Sequence, residues 1–393
     1  MKKGIILALF KRPSSAIGVL IILIAAAIAV AGANIRPDAT IDANEQCIEI
    51  AKIRPFSTKK FLVPPQQVAD SSNVWTRLFF GGAPGGRTAI PFDTIYIREG
   101  YLFYTAQRIK NERGQDLSSY RKVDIEPFLS FFQGEVVRRD GEVYLVKDNK
   151  EWLLNQQEFL SKLLRKQTET RFYLLGTDTF GRDLLSRMMG GTIVSLSVGL
   201  IAVVISLLIG IPMGAAAGYY GGWIDKAIMW VVNVVWSIPT MLMVIAITLA
   251  LGKGFTQVFI AVGFTMWVEV ARVVRGQFMQ LREKDYAVAA RLMGFSAWRI
   301  MFKHLLPGVV APLIVISAGN FSTAILLESG LSFLGIGAQV PMPSWGGIIK
   351  AHFSYITTDL AYLALLPGLC LSLLTLAFMM VGNGLRDILD VRA

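Results

Sequence analysis

Residues 267–307 read WVEVARVVRGQFMQLREKDYAVAARLMGFSAWRIMFKHLLP, and the interpretation of the whole chain depends on this stretch. It is rich in Arg and Lys, and it lies between two apolar runs that are each long enough to cross a bilayer. Short loops with an excess of basic residues stay on the cytoplasmic side of a membrane. Gly294 interrupts the helical pattern, and Pro307 suits the first turn of a new helix. The stretch therefore predicts a cytoplasmic helix, a turn at Gly294 and a second helix.

The composition of the chain is that of a membrane protein. Hydrophobic residues make up 53% of the 393 residues and charged residues only 17%, whereas a soluble domain carries about 25% charged residues. The formal net charge of +11 would fit nucleic-acid binding, but the excess lies in the N-terminal tail and in residues 267–307. Because the rule for cytoplasmic loops explains that distribution, no nucleic-acid partner is expected.

Six apolar runs predict an all-α polytopic membrane protein with six transmembrane helices and both termini in the cytoplasm. The first run, residues 14–33, follows a basic cytoplasmic tail, residues 1–13. Its length favours an uncleaved anchor, although its end resembles the cleavage site of a signal peptide. The other predicted spans are residues 192–217, 226–251, 255–276, 308–328 and 361–382. The prolines Pro212, Pro239 and Pro312 lie within these runs, where neighbouring helices can accommodate them.

Residues 34–175 form the largest polar block of the chain, and no apolar span interrupts it. The orientation of the first span places this block outside the cytoplasm. Alternating β-branched and aromatic residues predict two hairpins, with turns at residues 99–100 and 140–141. Apolar spacing over residues 151–167 predicts a helix, which either packs on the strands or lies on the membrane surface. We therefore expect a small inserted α+β extracytoplasmic domain with an interaction role.

Residues 175–199, LGTDTFGRDLLSRMMGGTIVSLSVG, lead from this block into the second span. The threonine or aspartate at 177–178 can cap a short helix over 182–189, and Asp183 and Arg187 have the spacing of an i,i+4 ion pair. A catalytic pair formed by the two aspartates is the alternative interpretation, but the motif offers no nucleophile or metal ligand beside them. We interpret the motif as a structural elbow that depends on Asp178, Arg182, Asp183 and Arg187.

Residues 328–349, ESGLSFLGIGAQVPMPSWGGII, are apolar but too rich in Gly and Pro for a plain spanning helix. A partly re-entrant segment on the outer side of the membrane, residues 329–360, fits them better, and we call it the scoop. It is a plausible gate or docking rim beside a translocation path. Its candidate residues are Glu328, Ser332, Phe333, Gly335, Pro343 and Trp345.

Polar side chains at membrane depth are few in the sequence. They either line a solute pathway or form hydrogen bonds between helices, and the residues alone leave both interpretations open. The carboxylates Glu269 and Glu328 are predicted near the ends of spans, which argues against an ion-coupled carrier. The candidates for lining a pathway are Asn233, Ser237, Asn320 and Thr323.

Four motifs of the chain, in order, resemble signatures of ABC-importer permeases, especially the second permease subunit of the dipeptide and oligopeptide type. The elbow is similar to GTDxxGRDxxSRxxxGxRxSL, and DYAVAARLMG…LLP is similar to the EAA coupling loop. The scoop is similar to E-x-x-LSFLG-x-G-x-x-P-x-P-SWG, and the C-terminal GNGLRDILDVRA to G-x-LRD-x-LDxR. The chain departs from the family at Val288, where a glutamate is usual, and in residues 34–175, where the family has a much shorter loop.

The resemblance implies a core permease domain over residues 176–393, with a cytoplasmic coupling loop at 277–307. In the family this loop docks on an ATPase subunit. The resemblance assigns that contact to Tyr286, Ala289, Ala290, Gly294, Leu306 and Pro307. It also implies a second homologous permease subunit, two cytoplasmic ABC ATPase subunits, an extracytoplasmic solute-binding protein and the lipid bilayer as partners, and peptides or a similar small solute as cargo.

The sequence contains no G-x-x-x-x-G-K-[ST] motif, so ATP and Mg are expected on the partner ATPase chains and no cofactor on this chain. Its two histidines lack the spacing of metal ligands, so no metal site and no catalytic residue are expected. Two other classes remain as alternatives. One is a membrane-anchored sensor or interaction protein that acts through the external domain, and the other is an ion-coupled carrier or channel.

Overall fold

A computed structural model describes residues 8–64, 89–98, 101–107, 119–129, 135–139, 142–147, 150–153, 157–252 and 254–390 of the chain. It contains two compact units. The membrane unit consists of Met1–Gly32 and Met188–Ala393, and the inserted unit of Ala33–Arg187.

The helices and strands are numbered in chain order. The strands are β1 (Ser57–Leu62), β2 (Ile90–Phe92), β3 (Thr94–Arg98), β4 (Tyr101–Thr105), β5 (Arg121–Asp124), β6 (Glu135–Arg139), β7 (Glu142–Lys147), β8 (Lys150–Leu153) and β9 (Thr168–Tyr173). The helices are α1 (Pro13–Ile35), α2 (Glu126–Leu129), α3 (Gln157–Gln167), α4 (Leu184–Tyr220), α5 (Gly222–Ser237), α6 (Thr240–Leu251), α7 (Phe255–Leu281), α8 (Asp285–Leu292), α9 (Ala297–Arg299), α10 (Leu306–Leu334), α11 (Trp345–His352) and α12 (Tyr362–Asp390).

The membrane unit confirms the predicted all-α polytopic fold. Among the described residues, five helices are long and apolar enough to cross a membrane, and the bent pair α5–α6 brings the number to six. One of the five is continuous from Ala297 to Leu334, because a π-helical turn (Ile300–Leu305) joins α9 to α10. At the two ends of the sequence, α1 packs on α12, where Arg12 pairs with Asp387.

The third predicted span, residues 226–251, corresponds to a bent pair of helices rather than to one straight helix. The chain breaks between Ser237 and Thr240, and α5 and α6 differ in direction by 92°. Pro239 causes the break, since it has no N–H to donate and also disfavours helical backbone at Ile238. In contrast, Pro212 and Pro312 lie inside α4 and α10.

Small residues on α4 allow a close approach to α7. A Cβ atom on Gly214 would lie 2.7 Å from Cβ of Val274, and one on Gly218 would lie 2.6 Å from Cβ of Phe278. Val274 and Phe278 are fully buried in this contact. Because these glycines have no side chain, the backbones of α4 and α7 can approach each other closely, as is common between membrane helices.

The inserted unit is α+β, as predicted. Its described strands form three antiparallel sheets with the orders β2-β1-β9, β3-β4-β5 and β6-β7-β8. The two predicted hairpins are confirmed as β3–β4 and β6–β7, while their turns at residues 99–100 and 140–141 lie outside the described residues. Helix α3 packs on the strands rather than lying on a membrane, because Phe159 and Leu163 are buried in the same core as Leu102 and Leu145.

The predicted helix over residues 151–167 starts later in the structure. Its first residues belong to β8, where Trp152 pairs with Leu145 of β7. The helical spacing of apolar residues there was misleading, since strand pairing with a preceding hairpin outweighs a local preference.

Candidate functional site

The elbow is organised around the carboxylate of Asp178, which is fully buried. This carboxylate accepts hydrogen bonds from the backbone N–H groups of Phe180 (2.8 Å) and Arg182 (3.0 Å) and from Nε of Arg182 at 2.6 Å. Nε of Arg187 lies 3.7 Å from the same carboxylate. One buried acid therefore pairs with two buried guanidinium groups, and Asp38 and Asp42 add negative charge near Arg187.

Two details of the predicted elbow were wrong. The helix begins at Leu184 and continues as α4, and its capping residue is Asp183, whose Oδ2 accepts from the N–H of Ser186 at 2.8 Å. Because Asp183 turns back onto Ser186, Arg187 pairs with Asp178 instead of with Asp183. Burial raises the pKa of the Asp183 carboxyl above its usual range, although the hydrogen bonds from Ser186 oppose this shift.

The elbow also holds the start of the inserted unit. Ile53 and Thr177 exchange two hydrogen bonds, one from N of Ile53 to Oγ1 of Thr177 (2.9 Å) and one from N of Thr177 to O of Ile53 (3.1 Å). Gly181 has φ +71°, and a Cβ there would overlap the carbonyl of Cys47. Burial and the nearby Glu49 raise the pKa of the Cys47 thiol to about 12, so this cysteine stays protonated at neutral pH. The elbow thus has a structural role within the inserted unit.

The first six residues of the predicted scoop, 329–334, continue α10, and the chain leaves the helix at Gly335 with φ +82°. Glu328 is fully buried, and its carboxylate accepts from Oγ of Ser332 at 2.7 Å and from Oγ of Ser329 at 3.3 Å. Oγ of Ser332 in turn accepts from the backbone N–H of Ala338 at 3.1 Å. These contacts fold the chain after Gly335 back onto the end of α10.

A second set of contacts fixes the scoop to the start of α4 in the membrane unit. Nε1 of Trp345 donates to the carbonyl of Met188 at 3.0 Å. A Cβ on Gly191 would lie 2.6 Å from the Trp345 ring, and one on Gly190 would lie 2.6 Å from Pro343. Of the predicted scoop residues, Phe333 remains exposed, with its ring centroid 5.6 Å from that of Phe353.

The coupling loop has the predicted form of helix, turn and helix. Gly294 has φ +74°, and no heavy atom lies within 4 Å of the position of a Cβ there, so backbone conformation rather than space favours glycine. One face of α8 packs against the rest of the chain, since Ala287 and Ala290 are buried together with Ile300 and Leu305. Ala290 was predicted to contact a partner; its side chain faces the interior of the chain, and the contact stays a prediction.

The outer face of the loop carries an apolar surface that we call the coupling surface. It consists of Tyr286 (47% exposed), Val288 (37%), Leu292 (84%), Met293 (65%) and Trp298 (67%), together with exposed Ala289. Leu292, Met293 and Trp298 were not among the predicted contact residues, although Val288 and Leu292 have the i,i+4 spacing of one helix face. Leu306 is half-buried against the core below the loop, and Pro307 is exposed in the first turn of α10.

The predicted pathway residues do not form one cluster by hydrogen bonding. Oδ1 of Asn233 accepts from Arg272 at 2.9 Å, whereas Ser237 and Thr323 donate to carbonyls of their own helices. Asn320 is buried, and its Nδ2 has no hydrogen-bond partner among the described residues. Glu269, which was predicted near a span end, lies close to the middle of α7, fourteen residues after Phe255 and twelve before Leu281.

The chain belongs to a known family of membrane proteins. Residues 210–393 match the family described as binding-protein-dependent transport system inner membrane component. The match begins after the inserted unit, so that unit lies outside the part that defines the family.

Several relatives support this assignment. The chain is 39% identical over 216 residues to the glutathione transport system permease protein GsiD of Pectobacterium atrosepticum, which covers 55% of this chain and 71% of the relative. It is 39% identical over 226 residues to the dipeptide transport system permease protein DppC of Alkalihalophilus pseudofirmus, with 58% and 74% covered. It is 35% identical over 215 residues to the oligopeptide transport system permease protein OppC of Bacillus subtilis, with 55% and 70% covered.

A solved structure of the inward-facing MetNI methionine ABC transporter aligns with a TM-score of 0.43 and 20% identity, over 53% of this chain and 97% of that chain. From the family and its relatives, this chain is a multi-pass inner-membrane permease subunit of an ABC importer, a component that is not itself catalytic.

Proposed function

We propose that this permease subunit forms, together with a second homologous permease, the pathway for peptides or a similar small solute. The names of the relatives support the cargo, since they are permease proteins for glutathione, dipeptide and oligopeptide transport. An extracytoplasmic binding protein delivers the solute, and two cytoplasmic ABC ATPase subunits bind and hydrolyse ATP.

The coupling surface is the observation that carries this proposal. A folded chain rarely leaves Leu292 at 84% exposure beside exposed Trp298 and Met293 unless another surface covers them. The loop around them is basic, which places it in the cytoplasm, where the ATPase subunits lie. With Val288 in place of the usual glutamate, we expect docking to depend on shape and apolar contact more than on charge.

The same loop is connected to the spans through packed side chains. Below α8, buried Ala290 contacts a core that includes Phe278 of α7, Ala215 of α4 and Val309 of α10. The helix that follows the Gly294 turn runs without interruption from Ala297 to Leu334. When the ATPase subunits close, a displacement of α8 is therefore passed to three membrane helices, which changes access from the outer side to the inner side.

The orientation of the chain follows from the same charge distribution. The N- and C-termini lie in the cytoplasm, and the inserted unit lies outside. Helix α1 packs closely on α12, because a Cβ on Gly18 would lie 2.7 Å from the carbonyl oxygen of Ala377.

A charge placed in the coupling surface tests the docking. In the complex with its second permease and ATPase subunits, Leu292→Asp is expected to reduce the co-purified ATPase by about tenfold or more, because interface hot spots cost about 2 kcal/mol or more when lost. Glu283→Gln is the matched control on the same loop, since Glu283 lies outside the apolar set, and it is expected to retain the ATPase. Full retention in Leu292→Asp would show that the ATPase docks elsewhere.

A further inference from the structure

An open pocket of about 100 Å³ lies on the surface of the membrane unit, among α5, α6, α7 and α10, and several of its wall residues are exposed. Its walls include Trp236, Ile238, Thr240, Thr265, Glu269 and Thr323. Ile238 lies in the break between α5 and α6, and Thr240 is the first residue of α6. Substrate sites in transport proteins often lie near the membrane middle, where a spanning helix is interrupted.

Glu269 gives this pocket a charge. It lies near the centre of α7, its side chain is exposed on the surface of the chain, and among the described residues it has no hydrogen-bond or ion-pair partner. An ionisable side chain at membrane depth is costly, and it usually faces a pathway or a polar partner. The carboxylate is therefore available to a group that the folded chain does not supply.

Arg272 does not neutralise this carboxylate, although it lies one helical turn away. Its guanidinium donates to Oδ1 of Asn233 at 2.9 Å and stacks on the ring of Trp236, with Cζ 3.0 Å from the ring centroid. Both contacts hold the arginine against α5. The Arg272 guanidinium beside the pocket is thus held by contacts within the chain, whereas the Glu269 carboxylate has no such contact among the described residues.

Two hydroxyl groups of the pocket, those of Thr265 and Thr323, are available as acceptors. Oγ1 of Thr265 donates its proton to the carbonyl of Val262 at 2.8 Å, and Oγ1 of Thr323 donates to that of Gly319 at 3.1 Å. Each hydroxyl oxygen retains lone pairs, and a carboxylate accepts only. These three side chains therefore present acceptors to a ligand, which matches a group with several N–H donors and a positive charge.

We propose that Glu269, with Thr265 and Thr323, binds the primary ammonium group of the solute on its way through the membrane. This inference rests on the proposed function, since a peptide carries such a group at its N-terminus. An ammonium offers three N–H donors for a carboxylate and two hydroxyl oxygens. A pocket of about 100 Å³ admits this end of the molecule and its first carbon atoms, while the remainder stays in the pathway.

The test uses the complex of both permeases and the ATPase subunits, purified without the binding protein, and radiolabelled alanyl-alanine in equilibrium dialysis. The wild-type complex is expected to bind this dipeptide about tenfold or more tightly than its N-acetylated form, because acetylation removes the charge and two donors. Glu269→Gln is expected to lose that preference, and Glu269→Asp to keep part of it. Glu126→Gln, on the inserted unit, is the control and is expected to behave as wild type.

Equal binding of the free and acetylated dipeptides, or an unchanged preference in Glu269→Gln, overturns the proposal. So does loss of the second permease from the Glu269→Gln complex, because the carboxylate would then serve subunit assembly. Uptake by the wild-type complex with its binding protein separates failure of the ammonium site from failure of the proposed function. If the wild type takes up peptides but Glu269→Gln binds them normally, only the ammonium site fails, and if the wild type takes up no peptide, the proposed function fails.

Discussion

At the scale of single residues, Asp178 is the most consequential acid of the inserted unit. Its carboxylate is in contact with Arg182 at 2.6 Å and Arg187 at 3.7 Å, and all three side chains are more than nine-tenths buried. Removal of the acid would take away a carboxylate that lies within 4 Å of both buried guanidinium groups.

Asp178→Ala is therefore expected to lower the stability of the full chain by about 3–5 kcal/mol, the cost of an uncompensated buried charge. The matched control is Glu151→Ala, which removes the acid of an exposed pair with Arg139 and is expected to cost about 1 kcal/mol or less. Thermal unfolding of the two purified variants measures the difference. Similar unfolding temperatures for both would contradict the central position of Asp178 in the elbow.

The residue scale is also where the sequence was least informative. Ala289 and Ala290 are chemically identical, and only the packing of α8 on Ile300 and Leu305 decides which of them is exposed. Likewise, the i,i+4 pairing of Asp183 with Arg187 assumes helical backbone from residue 182. The helix starts at Leu184, so Asp183 has a capping geometry and a different partner.

At the scale of elements, the scoop depends on a close backbone approach. A Cβ on Gly346 would overlap the carbonyl oxygen of Ser329 in α10, so no side chain fits there without a shift of one segment. This contact and the bond from Trp345 to Met188 hold α11 against the spans.

Gly346→Ala is expected to destabilise the chain by about 1–3 kcal/mol, as overpacking of a well-filled contact does. Gly368→Ala is the control, because the nearest heavy atom to its Cβ would be 4.0 Å away, on Ile349. Alanine inside α12 is expected to be neutral or to stabilise by up to about 1 kcal/mol. Both variants are compared by thermal unfolding, and equal destabilisation would mean that the approach at Gly346 is not tight.

The number and order of the spans were predictable because a run of about twenty apolar residues has few other solutions in a bilayer. The break at Pro239 was not predicted as a change of direction, since proline is also tolerated within spans, as at Pro212 and Pro312. The sequence does not distinguish these cases, because the contacts of neighbouring helices decide between them.

At the scale of the whole molecule, the inserted unit was predictable in class but not in topology. Its hairpins are local, and the alternation of side chains identifies them. Strand β1 pairs with β9, more than a hundred residues later in the chain, and no local pattern specifies such a partner. The permease function follows from the motifs of the membrane unit. In the proposed function, the cargo depends on its contacts with the binding protein and with the pathway.

Uptake into proteoliposomes is the decisive test of the proposal that this chain is a permease subunit of an ATP-driven peptide importer. The vesicles contain both permeases with their ATPase subunits, and they receive the binding protein with a radiolabelled peptide outside and ATP inside. We predict peptide accumulation that requires ATP and the binding protein and that is lost in the Leu292→Asp variant. Accumulation that persists without ATP hydrolysis, or no accumulation of any peptide with all components present, would contradict it.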